Sequence, residues 1–375
     1  MRKEFVSRQQ VDLIPERLRK VEETDASKEL NIYMCHLYEK NRYQPMKIMI
    51  VGAGGSYPAA IFAKHATLRE MRTANVEAVT PQTAIRILTQ FDHVNNGEWN
   101  PKYDLVIGIS YSGRTPDIKN VYDICNEKGL PFALVTGVEK STLSDIYTES
   151  NKMNIISYFN AEDTTGKERG MISMTSTLAP IIVFDDNWTC KLISENQEAL
   201  TNGEKFVSEL NIHDIARKIK QKPVIHVFYE WDTLPTAIDI ESKFTESGIA
   251  NVIIHEKKNF SHGRYTLLYK QNFALAINLV KYRIENQGEN TNKSYRSMYD
   301  ENLAIFLKER CKAEDSNYLE IGTVAAEAKQ WNIEAMTKLP YFITTIGEEL
   351  GIDVSKPLKP FPEEAAGLYA YKGIF

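Results

Sequence analysis

The sequence predicts an α/β chain built on two parallel, doubly wound sheets flanked by helices. Three observations carry that expectation. Short apolar runs alternate with helix-periodic stretches from Pro45 onward, and the alternation restarts near residue 220 after a polar interval. The 375 residues also exceed what one core organises, at roughly 100–200 residues per domain. The composition, 43% hydrophobic and 25% charged with a mean hydropathy of −0.36, excludes extended disorder and fibres. With 45 Lys and Arg against 50 Asp and Glu, the net charge of −5 lacks the basic excess of a nucleic-acid binder and leaves room for a local anion site. No run approaches the ~18 apolar residues that span a bilayer, and the N-terminus has no apolar signal core, so a cytoplasmic protein without membrane partners is expected.

Residues 1–44 read as an N-terminal helical arm. Val11, Leu13, Ile14, Leu18 and Val21 recur at helical spacing, Leu30, Ile32, Met34 and Leu37 follow, and Pro15 breaks or starts a helix. A first α/β domain, 45–195, carries the apolar runs KIMIVGAG, VEAVTP, YDLVIGIS, PFALVTGV and MNIISYF, each followed by a helical stretch. Polar helical sequence at about 192–220 marks the boundary. A second domain, 215–351, repeats the rhythm with PVIHVFYE, ANVIIHE, FALAINLV and YLEIGTV, then a long helical pattern from Ile333 to Leu350. The tail, 352–375, holds Pro357, Pro360 and Pro362 and is expected to be irregular and to pack back near the site. Cys35, Cys125, Cys190 and Cys311 form no CxxC pair, so no disulfide framework or zinc site is signalled and buried thiols are expected.

Two turns stand out chemically. The first apolar run leads through Gly52, Ala53, Gly54, Gly55 and Ser56 into a helix, where glycines let the backbone approach an anion at the helix start. Its spacing fits neither the dinucleotide fingerprint nor the P-loop, and any strand-to-helix turn favours Gly and Ser. The third run ends in Ile109-Ser110-Tyr111-Ser112-Gly113-Arg114-Thr115-Pro116, setting three hydroxyls at the carboxyl end of a central strand, where open α/β sheets bind ligands. A third hydroxyl-rich stretch, Ser173 to Thr177, reads either as a helix cap or as a further ligand turn. In the second half, Lys243 and Glu246 are three apart and share a helix face, so that Lys243 can tune an inward Glu246; the same spacing also suits a surface ion pair.

Together, GAGGSY, ISYSGRTPD and ERGMISMTST resemble the SIS (sugar isomerase) phosphosugar-binding fold, and two such domains resemble the isomerase half of glucosamine-6-phosphate synthase and its deaminase relatives. The resemblance covers about residues 46–360. It implies flavodoxin-like sheets, no cofactor or metal, and a sugar phosphate held by Ser56, Ser110, Ser112, Thr115 and the amides around Gly54 and Gly55, with Ser173 from the third turn. Tyr111 stands where the synthase has Gln. Lys-x-x-Glu followed sixteen residues later by a His-Gly turn matches the synthase-type isomerases. On that likeness Glu246 moves a proton between C1 and C2, His262 assists ring opening and Lys243 orients Glu246. A histidine turn of this kind reaches a partner subunit's site, which implies a homodimer or higher homo-oligomer. Asn259 and Arg264 depart from the family's Glu and Pro; Arg264 offers an added anion contact. Lys356 and Lys359 lie near the family's terminal lysine without matching its offset. The activity implied is aldose–ketose isomerisation or amino-sugar-phosphate deamination. A sugar-phosphate sensor without turnover and a deglycase acting on fructosyl-amine phosphates are the alternatives.

Overall fold

A computed structural model describes residues 5–90, 94–95, 98–99, 103–148, 150, 152–163, 165–169, 172–184, 197–287, 291–295, 297–323 and 328–357. The chain divides into two compact units. One gathers Ile14–Glu168 with the segment from Ser173; the other gathers the residues up to Leu13, Arg169–Ile172 and Asn196–Pro357. Helix α1 (Val6–Asp12) thus belongs to the second of these, and the helices that follow it to the first.

In the five-stranded unit, Pro15 sits in the first turn of α2 (Ile14–Glu22), where its missing N–H costs nothing, and α3 (Ala26–Lys40) follows. Then come β1 (Lys47–Gly52), α4 (Ser56–Glu70), β2 (Asn75–Val79), α5 (Pro81–Gln90), the short hairpin β3 (Val94–Asn95) and β4 (Glu98–Trp99), β5 (Leu105–Ile109), α6 (Pro116–Glu127), β6 (Phe132–Thr136), β7 (Met153–Ser157) and α7 (Thr175–Val183). The sheet order is β2-β1-β5-β6-β7, all parallel. Strands β5 and β6 are buried at every position, as parallel strands covered on both faces must be, which is why they read as unbroken apolar runs. On one face Val106, Ile118, Val121, Phe132 and Leu134 form the core, each fully buried aliphatic contributing ~1.5–3 kcal/mol. Helix α7 is buried along its whole length and packs against α2, α3 and α4.

The four-stranded unit runs α8 (Gln197–Ser208), α9 (Ile212–Gln221), β8 (Val224–Tyr229), α10 (Leu234–Glu246), β9 (Asn251–Glu256), α11 (Lys257–Ser261), β10 (Leu275–Lys281), β11 (Arg283–Gln287), β12 (Thr291–Tyr295), α12 (Met298–Ala313), β13 (Asn317–Thr323) and α13 (Ala328–Leu350). Its parallel sheet has the order β13-β10-β8-β9. After β10 the chain enters the antiparallel pair β11 and β12. Helix α1 is tied to the end of this unit: the Val6 and Ser7 amides donate to the Asp353 carboxylate at 3.0 and 3.2 Å, and Arg8 grips Glu348 through two bonds of 2.9 and 2.7 Å. The Trp331 indole, fully buried, donates to the Val280 carbonyl at 2.7 Å and seats α13 against the sheet.

Two parallel sheets of five and four strands flanked by helices are the architecture read from the sequence. The buried-thiol expectation holds for Cys125 and Cys311, whose thiols burial pushes up to about 12; Cys35 instead is exposed on α3. Cys190, Lys359 and the tail beyond Pro357 lie outside the described residues. No helix among the described residues is long and apolar enough to cross a membrane.

Candidate active site

In the five-stranded unit the chain leaves β1 outward to β2 and then returns to β5 on the other side of β1. The turns after β1 and β5 therefore flank one crevice at the carboxyl ends of the strands, the topological switch point. Gly52 and Ile109 are paired in register, so both turns depart at the same level.

The turn after β1 is closed by the Ser56 and Tyr57 amides, which donate to the Ala53 and Gly54 carbonyls at 3.0 and 2.9 Å. Ser56 opens α4, with Gly54 and Gly55 just ahead of it. Gly55 has a specific reason to be glycine: a Cβ there would collide with the Ser173 side chain. The first and third hydroxyl-bearing turns are thus in contact.

The turn after β5 is supported from below by β6 and its loop. The Tyr111 carbonyl accepts from the Gly137 amide at 3.0 Å and from the Thr136 hydroxyl at 3.2 Å, and the Tyr147 hydroxyl donates to the Gly113 carbonyl at 2.8 Å. Gly113 takes φ +63° with Leu143 directly beneath it. Ser110 is buried and its hydroxyl stands 2.8 Å from that of Thr115, the residue directly before α6. Ser112 is exposed, accepting the Arg114 amide at 3.3 Å. Arg114 reaches Asp145 and the Thr142 carbonyl. Tyr111 turns its ring onto Gly137 and its hydroxyl towards Glu168, whose amide lies 3.5 Å away; burial raises the phenol above its ordinary range. A cavity of about 560 Å³ opens beside this turn, lined by Arg17, Lys20, Tyr111, Ser112, Arg114 and Thr175 among others.

In the four-stranded unit, Lys243 and Glu246 lie on the last turns of α10. Lys243 is buried, and its ammonium pairs with Asp239 one turn earlier. Burial raises the Asp239 carboxyl against the pull of Lys243. Glu246 takes its hydrogen bond from the Ser242 hydroxyl at 2.7 Å. Burial raises its carboxyl above the ordinary glutamate range, opposed first by Ser242 and then by Lys243. A carboxylate with raised proton affinity at a helix end is equipped for general acid–base work.

His262 caps the carboxyl end of α11 within an exposed run, 261–267, that includes Arg264. Helix α11 itself is held firmly. The Lys257 ammonium is buried and donates to the Leu279 carbonyl at 2.7 Å and to Asp300 at 2.6 Å. Tyr299 donates to the Lys257 carbonyl at 2.5 Å, and its hydroxyl lies 2.5 Å from that of Ser261. Glu256 accepts the Asn259 amide at the start of this helix.

The structure thus joins Ser110 with Thr115 and Gly55 with Ser173, couples Lys243 to Asp239, and leaves His262 and Arg264 on the surface. Sequence reasoning missed Asp239, although its spacing of four from Lys243 is a helical ion-pair signal, and Glu168, which no spacing marks. Among the described residues no cluster of ligating side chains suited to a metal ion is present.

No protein-family model and no curated protein matches the sequence. Solved structures do. The C-terminal domain of glucosamine-fructose-6-phosphate aminotransferase from Francisella tularensis aligns over 93% of this chain and 97% of its own, with a TM-score of 0.65 at 15% identity. Tagatose-6-phosphate ketose/aldose isomerase from Escherichia coli aligns over 96% and 97%, with a TM-score of 0.61 at 14% identity. Glucosamine-6-phosphate deaminase from Thermotoga maritima aligns over 93% and 98%, with a TM-score of 0.54 at 15% identity. With 93% of the chain aligned to the first of these and two parallel sheets flanked by helices, the protein has the two-domain α/β SIS fold.

Proposed function

We propose that this protein is a phosphosugar enzyme, an aldose–ketose isomerase or an amino-sugar-phosphate deaminase/isomerase that moves a proton between C1 and C2. The observation that carries the reading is the hydroxyl turn after β5, with Ser110 and Thr115 paired at the switch point beside Ser112 and the glycine turn of β1. Hydroxyls and amides suit a phosphate in a chain of net charge −5. Glu246, with its raised proton affinity, supplies the base. Its carboxylate takes the C2 proton of the open-chain aldose, and the resulting enediol receives a proton at C1 while the O2 proton passes to O1. For a 2-amino sugar, the same transfer followed by addition of water releases ammonia and leaves the ketose. His262 assists ring opening, and Lys243 with Asp239 fixes the helix end that presents Glu246. No nucleotide or metal is required by this chemistry.

A homodimer, cytoplasmic in location, completes the reading. The exposed run around His262, with Tyr265, Leu267 and Tyr269, offers apolar surface beside a catalytic histidine. The test is exchange of the C2 proton in D2O with a panel of hexose and 2-amino-hexose 6-phosphates, read by NMR alongside ammonia release. Exchange by wild type that falls ~10²–10⁴-fold in Glu246→Gln supports the assignment, and unchanged exchange in that variant overturns it. One observation favours a sensor instead: the Lys243 ammonium is already engaged by Asp239. Binding of these sugars without exchange or ammonia release would establish that second reading.

A further inference from the structure

We propose that Glu168 is the positioning residue of the phosphate grip, joining all three hydroxyl-bearing turns; this rests on the phosphate-holding role of those turns given above. Helix α7 begins with N–H groups that have no partner within the helix. The Glu168 carboxylate takes three amides at this end: Met174 and Thr175 on Oε1 at 2.7 and 2.9 Å, and Ser176 on Oε2 at 2.8 Å. Such charge-assisted bonds are roughly twice as strong as neutral ones, and the positive end of the helix dipole adds to them. Ser173, the residue directly before Met174, is thereby fixed where it presses on Gly55 of the turn after β1. In the other direction, the Glu168 amide points to the Tyr111 hydroxyl at 3.5 Å, and Tyr111 belongs to the turn after β5.

Two consequences follow. First, the α7 helix start, a group that otherwise attracts an anion, is filled by the protein's own carboxylate, so the third turn offers a ligand the Ser173 hydroxyl and not the helix amides. Second, replacing Glu168 removes the carboxylate that fixes the three amides following Ser173 but keeps the backbone amide that faces Tyr111, so the Ser173 arm of the grip loosens without loss of any group that touches the ligand, and Tyr111→Phe tests the other arm separately.

The experiment uses the full chain, with inorganic phosphate and fructose 6-phosphate as probes in isothermal titration and in melting curves with and without millimolar phosphate. Glu168→Ala is expected to weaken phosphate binding at least tenfold. Glu168→Gln, which keeps an acceptor for Met174 and Thr175, is expected to recover part of that loss, and Tyr111→Phe to weaken binding two- to fivefold. The phosphate-induced rise in melting temperature shrinks in the same order, whereas a merely structural residue lowers both melting temperatures equally and leaves the rise intact. Should Glu168→Ala fail to fold, Glu168→Gln and Tyr111→Phe decide alone. Wild-type affinity in both overturns the proposal. If wild type binds neither probe, the phosphate-grip reading itself falls, and this one with it; binding by wild type that Ser110→Ala weakens and the Glu168 variants do not removes only the role of Glu168.

Discussion

The hydroxyls of Ser110 and Thr115 stand 2.8 Å apart across the turn that follows β5, with Ser110 buried and Thr115 at the start of α6. Each hydroxyl can donate one proton, so in the free protein one of them donates to the other, and both can donate to an arriving oxyanion only if that mutual bond is given up. The two side chains are therefore energetically coupled. Hydrogen bonds to a charged group contribute ~1.5–3 kcal/mol, so Ser110→Ala or Thr115→Val should each weaken sugar-phosphate binding by about 10- to 100-fold, with the double variant losing less than the product of the two. A double-mutant cycle by titration calorimetry checks this; strictly multiplicative losses would show that the pair does not share a ligand.

Ser242 and Glu246 yield a prediction on pH. The Glu246 carboxyl lies above its ordinary range because burial disfavours the anion, and the Ser242 hydroxyl bond works against that. Catalysis by the carboxylate should therefore rise with pH along a limb placed above the usual glutamate range. Removing the bond in Ser242→Ala should move that limb to still higher pH. The measurement is the pH profile of kcat/KM for the exchange reaction, with 13C NMR titration of the glutamates as an independent readout. A limb that shifts down in Ser242→Ala contradicts the assignment of Glu246 as base. Glu246→Gln should cost ~10²–10⁴-fold in rate.

What could be read from the residues, and what could not, follows from the range of the interactions involved. Strands such as β5 and β6 are legible because burial on both faces writes a continuous apolar run into the sequence. The hairpins β3–β4 and β11–β12 carry no such run; NTNKSY, for example, is wholly polar apart from Tyr295. The hydroxyl turns are legible because their residue types are local. Lys243 and Glu246 were visible as a pair three apart, yet the buried ammonium chose Asp239, four residues back, where the side chains meet inside the helix contact. Glu168 reaches amides six to eight residues ahead, and no periodicity encodes that reach.

The buried pair His226 and His255 gives a prediction on stability. They sit on adjacent strands, β8 and β9, with Nδ1 of His226 2.8 Å from Nε2 of His255 and their rings stacked near Phe228 and Phe260. One nitrogen must donate and the other accept, which fits two neutral rings. Burial lowers His226 to about 3, with His255 adding to the effect, and lowers His255 to about 4, with Arg264 adding there. Because both folded values lie below the unfolded value of ~6.5, stability from the neutral rings is fully present above that pH and is lost as pH falls from ~6.5 towards 4 and 3. Chemical denaturation between pH 7.5 and 4.5 should show a falling midpoint, and His226→Phe should flatten that slope even if it lowers the midpoint at pH 7.5. An equally steep fall in the variant would place the acid sensitivity elsewhere.

Gly55 and Ser173 give the sharpest steric test. A methyl group at Gly55 would meet the Ser173 side chain and crowd the Thr177 hydroxyl, and these partners are fixed: Ser173 by the Glu168 clamp on the next three amides, Thr177 by its place inside buried α7. Overpacking of this kind typically costs ~1–3 kcal/mol, so Gly55→Ala should lower the melting temperature and weaken phosphate binding together. Deleting the opposing side chain should relieve the clash. Ser173→Gly in the Gly55→Ala background is therefore expected to restore much of the stability while phosphate affinity stays low, because the Ser173 hydroxyl is gone. Melting curves and phosphate titration of the two single variants and the double variant separate these effects. If the double variant melts no higher than Gly55→Ala alone, the two turns do not meet at this contact, and Ser173 is not held against the turn of β1.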